Sequence, residues 1–265
     1  MRRVAILAAT ARELAPAQTV TGLLGPLRRG RVGRFTHHVG RLEDVELHFI
    51  KTGIGHRNAR LAAEAVQRGI SPDAIISTGY IGALGPEGVA ALIVATGIHD
   101  WIRERCATAI AADSALLAAA GLAAREAGIR WTKGPIITVA NVVWRASEKQ
   151  ALATASGAIG VDMESAAIAR VAAMGKVPFL AVRAVSDKVG DDLPLDFNLW
   201  LSSFGLLRGI LEVMTHPSLL RGLYRMKCHA DEADETLKRF FTSFVTALPS
   251  CHIPPHPDLS VAIPG

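Results

Sequence analysis

Two acidic residues follow apolar stretches of the chain, and their type and spacing suggest chemistry. Glu164 comes shortly after Val161, and Asp187 ends the run 179–187. Ligands bind at the carboxyl ends of strands in an α/β sheet, so we expect both carboxyl groups near one crevice. Two carboxyl groups with different neighbours can hold different protonation states, so one can bind hydroxyls while the other delivers a proton. This division of roles is typical of glycosidic-bond cleavage.

Each of the two residues also has a purely structural interpretation. Glu164 can be an acid in the first turn of a helix, where it faces the positive end of the helix dipole, and Asp187 can be a cap or turn residue. Apolar residues recur at helical spacing after Ser165, which places Glu164 at the helix start with Met163 just before it. The pairing of the two acids favours the chemical interpretation.

The first strand and helix bring a third acid toward the same edge of the sheet. The run 4–9 is short and aliphatic, and Thr10 is suited to cap the helix that follows. Glu13 is then the third residue of a capping box. A helix N-terminus at a strand end also favours an anion or a polar ligand. The residues alone leave both roles of Glu13 open.

Further elements alternate in the same way along the chain. We expect strands at 74–79, 88–96 and 134–139, a hairpin of 34–39 with 45–50, and helices at 57–68 and from about Asp113. A glycine-bearing turn at 52–55 leads into the first of these helices, and the adjacent His37 and His38 should point to opposite faces of their strand.

Length and composition fit one large α/β domain. The chain has 265 residues, of which 50% are hydrophobic, so it can bury a full core without division. Cys106, Cys228 and Cys251 lie far apart, which suggests neither a disulfide framework nor a zinc site and fits a reducing cytosol. Arg12 and Glu13 interrupt the apolar N-terminus, so we interpret it as a strand rather than a signal peptide. No apolar run reaches the roughly 18 residues that span a bilayer.

The net charge of +5 raises the possibility of an anionic partner. Arg28, Arg29, Arg31 and Arg34 cluster early in the chain, but few aromatic residues interleave with them and no recognition motif accompanies them. These features disfavour nucleic-acid binding and favour a solvated basic face, with an anionic membrane surface as the alternative.

The C-terminal part carries two apolar helical patterns and a tail. The pattern 197–214, capped by Asp196, fits the closing helix of the domain, which we place at 1–215. We expect an amphipathic helical extension at 216–248, where Arg221, Arg225 and Lys227 lie opposite an apolar face that can contact either an anionic membrane or another subunit. The tail 249–265 is rich in proline and shows little periodicity.

The motifs resemble those of a known family. VDMESAAIA at 161–169 and VRAVSD at 182–187 resemble the paired signature of the methylthioadenosine/S-adenosylhomocysteine nucleosidases, within the purine nucleoside phosphorylase superfamily. The likeness covers most of residues 1–200. Among the branches, the chain looks most like the hopanoid-associated phosphorylase group, which is thought to remove adenine from adenosylhopane.

The resemblance implies a role for each matching residue. Glu13 would activate water, Asp187 would protonate adenine, and Glu164 would clamp the ribose diol. Met163 would pack against the ribose, and Val143 would lie where backbone groups read the purine edge. Ser186 would orient Asp187, while Arg183 must be paired if it is buried, with Glu164, Glu13 or a bound anion.

Two departures from the family pattern bear on the reaction. Tyr80 replaces a serine close to the nucleophile, although its hydroxyl can also donate and accept hydrogen bonds. Val142 replaces an aromatic residue that stacks on adenine; Trp144 could supply that surface, but core packing is its more common role. The loop near Ser77 lacks the arginine with which the phosphorylases hold phosphate, which favours water as the nucleophile. The segment after His99 and Asp100 is shorter than in the nucleosidases, which fits a bulky 5′ group.

The resemblance therefore implies one α/β domain with a central mixed sheet flanked by helices. The expected reaction is cleavage of the N-glycosidic bond of a 5′-substituted adenosine by hydrolysis, without metal or organic cofactor. Adenosylhopane is the favoured substrate. The alternatives are phosphorolysis, a methylthioadenosine/S-adenosylhomocysteine nucleosidase, and a non-catalytic module that binds adenosyl lipids. We expect a cytoplasmic homodimer, with peripheral contact at the inner face of the membrane.

Overall fold

The computed structural model describes residues 2–102, 105–194 and 218–250. The strands are β1 (Arg2–Ala8), β2 (Arg28–Val32), β3 (Phe35–Leu42), β4 (Val45–Lys51), β5 (Ala74–Ala83), β6 (Leu92–Ile102), β7 (Arg105–Cys106), β8 (Ile110–Ala111), β9 (Trp131–Thr138), β10 (Gly160–Asp162) and β11 (Phe179–Asp187). The helices are α1 (Ala11–Gln18), α2 (Thr21–Leu24), α3 (His56–Ile70), α4 (Ser114–Glu126), α5 (Ala146–Ser156), α6 (Ser165–Met174) and α7 (Ser218–Ala247), and a short 3₁₀ turn spans Leu248–Ser250.

The described strands form one mixed 11-stranded sheet in the order β10-β9-β6-β11-β5-β1-β4-β3-β2, with β7 and β8 paired to β6. Strands β1, β4, β5 and β11 run parallel, whereas β6 is antiparallel to β11. Strand β10 pairs in parallel with β9 and antiparallel with the C-terminal end of β5. The strands β5, β11, β6, β9 and β10 therefore form a closed ring. The expected α/β fold with a central mixed sheet is confirmed.

Alternating residues of the strands bury the two faces of the sheet. In β1, Val4 and Ile6 pack in one cluster with α1, α4 and α7, while Ala5 and Leu7 pack in the other with α3 and α6. Successive side chains of a strand point to opposite faces, which is why a continuous apolar run serves both layers. Helices therefore cover both faces of the sheet and leave the strand ends free for a site.

Most of the predicted elements lie close to where the sequence places them. Asp113 caps α4, because its side chain accepts hydrogen bonds from the backbone N–H groups of Ala115 and Leu116. The predicted hairpin is formed by β3 and β4. The strand predicted at 88–96 instead begins at Leu92, after Ala90 with a φ of 62°. His99 and Asp100 consequently lie inside β6 rather than after it, since this strand extends to Ile102.

Helix α7 lies within the range 216–248 of the predicted extension and has two different halves. In its second half, Phe240, Phe241 and Phe244 are fully buried and share a core cluster with β1 and α4. That half packs as part of the α/β domain. The first half leaves Leu220 and Tyr224 exposed. The predicted helix at 197–214 and the tail from 251 lie outside the described residues.

None of the helices in the described part of the chain combines the length and apolar character needed to span a membrane.

Candidate active site

A cavity of about 270 Å³ opens where β1, β5, β10 and β11 end. All of the predicted site residues except Arg183 line it, namely Glu13, Tyr80, Val143, Met163, Glu164, Ser186 and Asp187. Strands β1, β5 and β11 are parallel, so their carboxyl ends lie side by side at this edge, and β10 reaches it by antiparallel pairing with the C-terminal end of β5. The expected meeting of Glu164 and Asp187 in one crevice is therefore what the fold produces.

Glu13 caps its helix and faces the cavity at the same time. Its Oε2 accepts hydrogen bonds from the backbone N–H and the hydroxyl of Thr10, at 2.9 and 2.8 Å. Its Oε1 accepts a third from the backbone N–H of Tyr80, at 3.1 Å. A Cβ at Gly79 would lie 2.5 Å from Oε1, so a glycine is needed there. Glu13 can therefore serve as the third residue of the capping box and still present its carboxyl group to a ligand in the cavity.

The hydroxyl of Tyr80 is engaged away from Glu13. It donates a hydrogen bond to Asp234 on α7, and the guanidinium of Arg12 lies 6.0 Å from the ring centre. Burial and the neighbouring Asp234 carboxylate raise the pKa of the phenol well above its usual value. To take the place of a serine near the nucleophile, as expected, this hydroxyl would have to give up its hydrogen bond to Asp234. Sequence reasoning missed this partner.

Glu164 lies at the N-terminus of α6 and touches the glycine turn after β4. Its Oε1 accepts a hydrogen bond of 2.7 Å from the backbone N–H of Gly55, which has a φ of 89°. Burial raises the pKa of Glu164 to about 7, and the Asp162 and Glu13 carboxyl groups add to the rise while the Gly55 N–H opposes it. A carboxyl that titrates near neutral pH is a feature of functional sites.

Arg183 does not line the cavity, and its partners differ from the expected ones. Its guanidinium, 3% exposed, forms an ion pair of 3.0 Å with Asp162. It also donates hydrogen bonds to the hydroxyls of Ser77 and Ser165, at 2.7 and 2.8 Å. The carboxylate is supplied by Asp162, and neither Glu164 nor Glu13 is an acceptor. A buried guanidinium needs such partners, so Arg183 holds strands β5, β10 and β11 together.

Asp187 ends β11 just beyond an irregularity in the pairing with β5. Its Oδ1 accepts a hydrogen bond of 2.8 Å from the hydroxyl of Ser186, in line with the expected orienting role. Its Oδ2 accepts one from Nζ of Lys149 on α5. Sequence reasoning missed Lys149, because the burial of a lysine on the short helix α5 depends on how that helix packs against the sheet.

The remaining walls of the cavity are mostly apolar, with Thr10, Asn141 and Asp162 as polar members. Val142, Val143 and Met163 line it beside Leu193. Trp144 instead borders an adjoining cavity of about 770 Å³, which shares Val139, Asn141, Val142 and Val143 with the first. The Arg145 guanidinium lies 4.6 Å from the Trp144 ring centre. The missing aromatic surface is therefore not supplied by Trp144 in this arrangement.

Metal ligands are not grouped in the part of the chain that the structure describes. No cluster of three or more histidine, cysteine, aspartate or glutamate side chains there could hold an ion. Four carboxyl groups line the cavity, and because that of Asp162 is paired with Arg183, the chemistry open to the described site is that of Glu13, Glu164 and Asp187.

Comparison with known proteins agrees with this arrangement. A 5′-methylthioadenosine/S-adenosylhomocysteine nucleosidase of Maridesulfovibrio salexigens is 28% identical over 205 residues, which cover 72% of this chain and 87% of that protein. The fold is similar to that of the nucleosidase of the same name from Neisseria meningitidis, with a TM-score of 0.73, 20% identity, and coverage of 93% of this chain and 100% of that one. Futalosine hydrolase of Helicobacter pylori gives a TM-score of 0.73 at 19% identity, covering 92% and 97%.

The family itself follows from a longer match. Residues 3–203 match the Phosphorylase superfamily. Apart from Arg2 at the start of β1, this match includes all of the described strands and all of the residues that line the cavity. The chain is therefore an enzyme that belongs to the phosphorylase superfamily.

Proposed function

We propose that this protein cleaves the N-glycosidic bond of a 5′-substituted adenosine and releases adenine, with water as the nucleophile. The observation that carries the proposal is the convergence of Glu13, Glu164 and Asp187 on one cavity. The names of the Maridesulfovibrio relative and of the structurally similar nucleosidases support the same class of reaction.

The three carboxyl groups fit three separate tasks. The transition state of this cleavage resembles an oxocarbenium ion, so the ribose becomes positive while the base departs with the bonding electrons. Asp187 gives a proton to N7 of adenine, and Glu13 activates the attacking water. Glu164 accepts hydrogen bonds from both hydroxyls of the ribose diol. Met163 and Val143 supply apolar contacts to ribose and base.

The lining of the cavity favours hydrolysis over phosphorolysis. A phosphate nucleophile needs a cation or several N–H donors to hold it. Among the described residues that line the cavity, none is arginine, lysine or histidine. The nearby Arg183 is occupied by Asp162, Ser77 and Ser165.

The position of α7 supports a lipid as the 5′ substituent, and adenosylhopane in hopanoid biosynthesis is the substrate that we propose. A recess of about 280 Å³ joins Asp187 and Tyr80 to Met226 on α7. Tyr224 and Leu220, two and six residues before Met226 on the same helix, are 69% and 55% exposed. Arg221 and Arg225 are exposed beside them. An apolar and basic surface beside the cavity suits peripheral contact with the inner face of the membrane.

Two alternative functions would use the same site. A methylthioadenosine/S-adenosylhomocysteine nucleosidase needs the same three carboxyl groups and differs only in the 5′ substituent. A non-catalytic module that binds adenosyl lipids would keep the cavity but lose the reaction. A homodimer is part of the proposal and can be measured by light scattering.

One experiment separates these possibilities. The purified protein is incubated with adenosylhopane, with methylthioadenosine and with S-adenosylhomocysteine, each with and without phosphate. The sugar product is then identified from its mass by mass spectrometry. The proposal expects adenine and a ribosyl lipid, formed fastest from adenosylhopane. Faster cleavage of methylthioadenosine would instead assign the nucleosidase function. Binding of all three without adenine release would assign the binding module.

A further inference from the structure

Lys149 is a buried lysine that contacts the proposed acid from outside the cavity. It lies on α5 and is 0% exposed. Its Nζ donates hydrogen bonds to Oδ2 of Asp187 and to the carbonyls of Lys188 and Asp191, each carbonyl at 3.0 Å. An ammonium group has three N–H donors, so each finds an acceptor. A buried charge is tolerated only when it is paired in this way.

The contacts make the two oxygens of Asp187 unequal. Oδ2 meets the Lys149 ammonium, which can only donate. Oδ1 meets the hydroxyl of Ser186 at 2.8 Å, and that hydroxyl has a second acceptor in the carbonyl of Ile81 at 3.3 Å. When the hydroxyl donates to the Ile81 carbonyl, it can accept a hydrogen bond from a protonated Oδ1. A proton on Asp187 therefore belongs on Oδ1.

We propose that Lys149 is the positioning residue for Asp187 in glycosidic-bond cleavage. This role rests on the proposed function. Lys149 holds Oδ2 and so presents Oδ1 as the donor atom. When the bond to the base breaks, its electron pair goes to the base, and the proton of Oδ1 moves to N7. Asp187 becomes a carboxylate, and the unchanged Lys149 ammonium stabilises that new charge. Solvent restores the proton after adenine leaves.

A purely structural role is the competing explanation, because Lys149 also holds the turn after β11 through two carbonyls. The two explanations differ in which substrates are affected. A 4-nitrophenyl riboside has a leaving group that departs without a proton, whereas adenine needs one. Loss of an acid's positioning residue should therefore slow adenine release and spare nitrophenolate release.

The experiment compares Lys149→Met, Lys149→Gln and Lys149→Arg with the native protein. Asp187→Asn is the reference for loss of the acid, and Lys133→Met, at an exposed lysine on β9, is the matched control. For Lys149→Met and Lys149→Gln we expect kcat for adenine release to fall about 10²-fold, with KM and nitrophenolate release within a few-fold of native. Lys149→Arg should recover part of kcat, and Lys133→Met should match native.

Several results would overturn the assignment. Equal losses on both substrates by whichever neutral variant folds, as judged by circular dichroism, would show a structural role only. Adenine release at the native rate would show no role. A native protein that releases adenine from none of the adenosines would refute the proposed function, and this role with it.

Discussion

The Tyr80 hydroxyl donates a hydrogen bond to Asp234, a residue 154 positions later in the chain. The same carboxylate group accepts from Arg12 at 3.0 Å, and Arg12 reaches Asp231 at 2.7 Å. Helix α7 is thereby joined to the residue whose backbone N–H holds Glu13. The C-terminal helix and the proposed water-activating residue are thus parts of one network.

Tyr80→Phe tests whether that hydroxyl works in the network or in the cavity. Because the hydroxyl bonds Asp234 and the backbone N–H remains, we expect a loss of about 1 kcal/mol in unfolding free energy and a kcat within a few-fold of native. Denaturant unfolding and adenine-release assays measure both. Tyr224→Phe, at an exposed position of α7, is the matched control. A hundredfold fall in kcat would place the hydroxyl at the reacting atoms.

Asp187→Asn removes the proposed proton donor and preserves the shape of the side chain. We expect kcat for adenine release to fall roughly 10²–10⁴-fold while substrate binding persists. Calorimetry and adenine-release assays give the two quantities. Asp44→Asn, in the exposed turn after β3, is the control. Activity within a few-fold of native would exclude Asp187 as the acid.

Glu13→Gln separates the two roles of that residue. Glutamine also serves at the third position of a capping box, so unfolding free energy should change little. Water activation needs the carboxylate, so adenine release should slow while substrate affinity stays near native. Mass spectrometry should detect a free ribosyl product with or without phosphate. Ribose 1-phosphate as the main product would rule out hydrolysis.

The raised pKa of Glu164 predicts a dependence of stability on pH. The folded value of about 7 lies above the ordinary 4.5, so the native state keeps a proton that the unfolded chain releases. This contribution is complete below pH 4.5 and is lost as pH rises through about 7. We expect the unfolding free energy of the native protein to fall by roughly 2 kcal/mol more than that of Glu164→Gln between pH 5 and 8. Parallel curves for the two proteins would contradict the assignment.

The first half of α7 predicts salt-sensitive membrane binding. Exposed Leu220 and Tyr224 can insert into a headgroup layer, and each nearby basic residue adds about 1 kcal/mol of attraction to anionic lipid. Cosedimentation with anionic vesicles should therefore weaken in the triple variant Arg221/Arg225/Lys227→Gln. The equally charged triple variant Arg28/Arg29/Arg31→Gln, on edge strand β2, should bind as the native protein does. Equal binding by both variants would show that the first half of α7 does not bind the membrane and serves another contact.

Local pattern determined the parts of this protein that depend on neighbours in sequence. The approximate positions of most strands, the Thr10 and Glu13 capping box, and the start of α6 beside Glu164 all follow from periodicity and capping, which involve residues a few positions apart. The expected grouping of the acids rested on one topological rule about the carboxyl ends of strands, although β10 reaches that edge through antiparallel pairing with β5.

Only the tertiary structure decided which distant groups are partners. Arg183 pairs with Asp162, Lys149 with Asp187, and Tyr80 with Asp234. These choices depend on strand register and on how α5 and α7 pack against the sheet. A buried charge or hydroxyl must find some partner, and the sequence states that need. It does not state which candidate lies within hydrogen-bond distance, because a one-residue change of register turns a side chain to the other face.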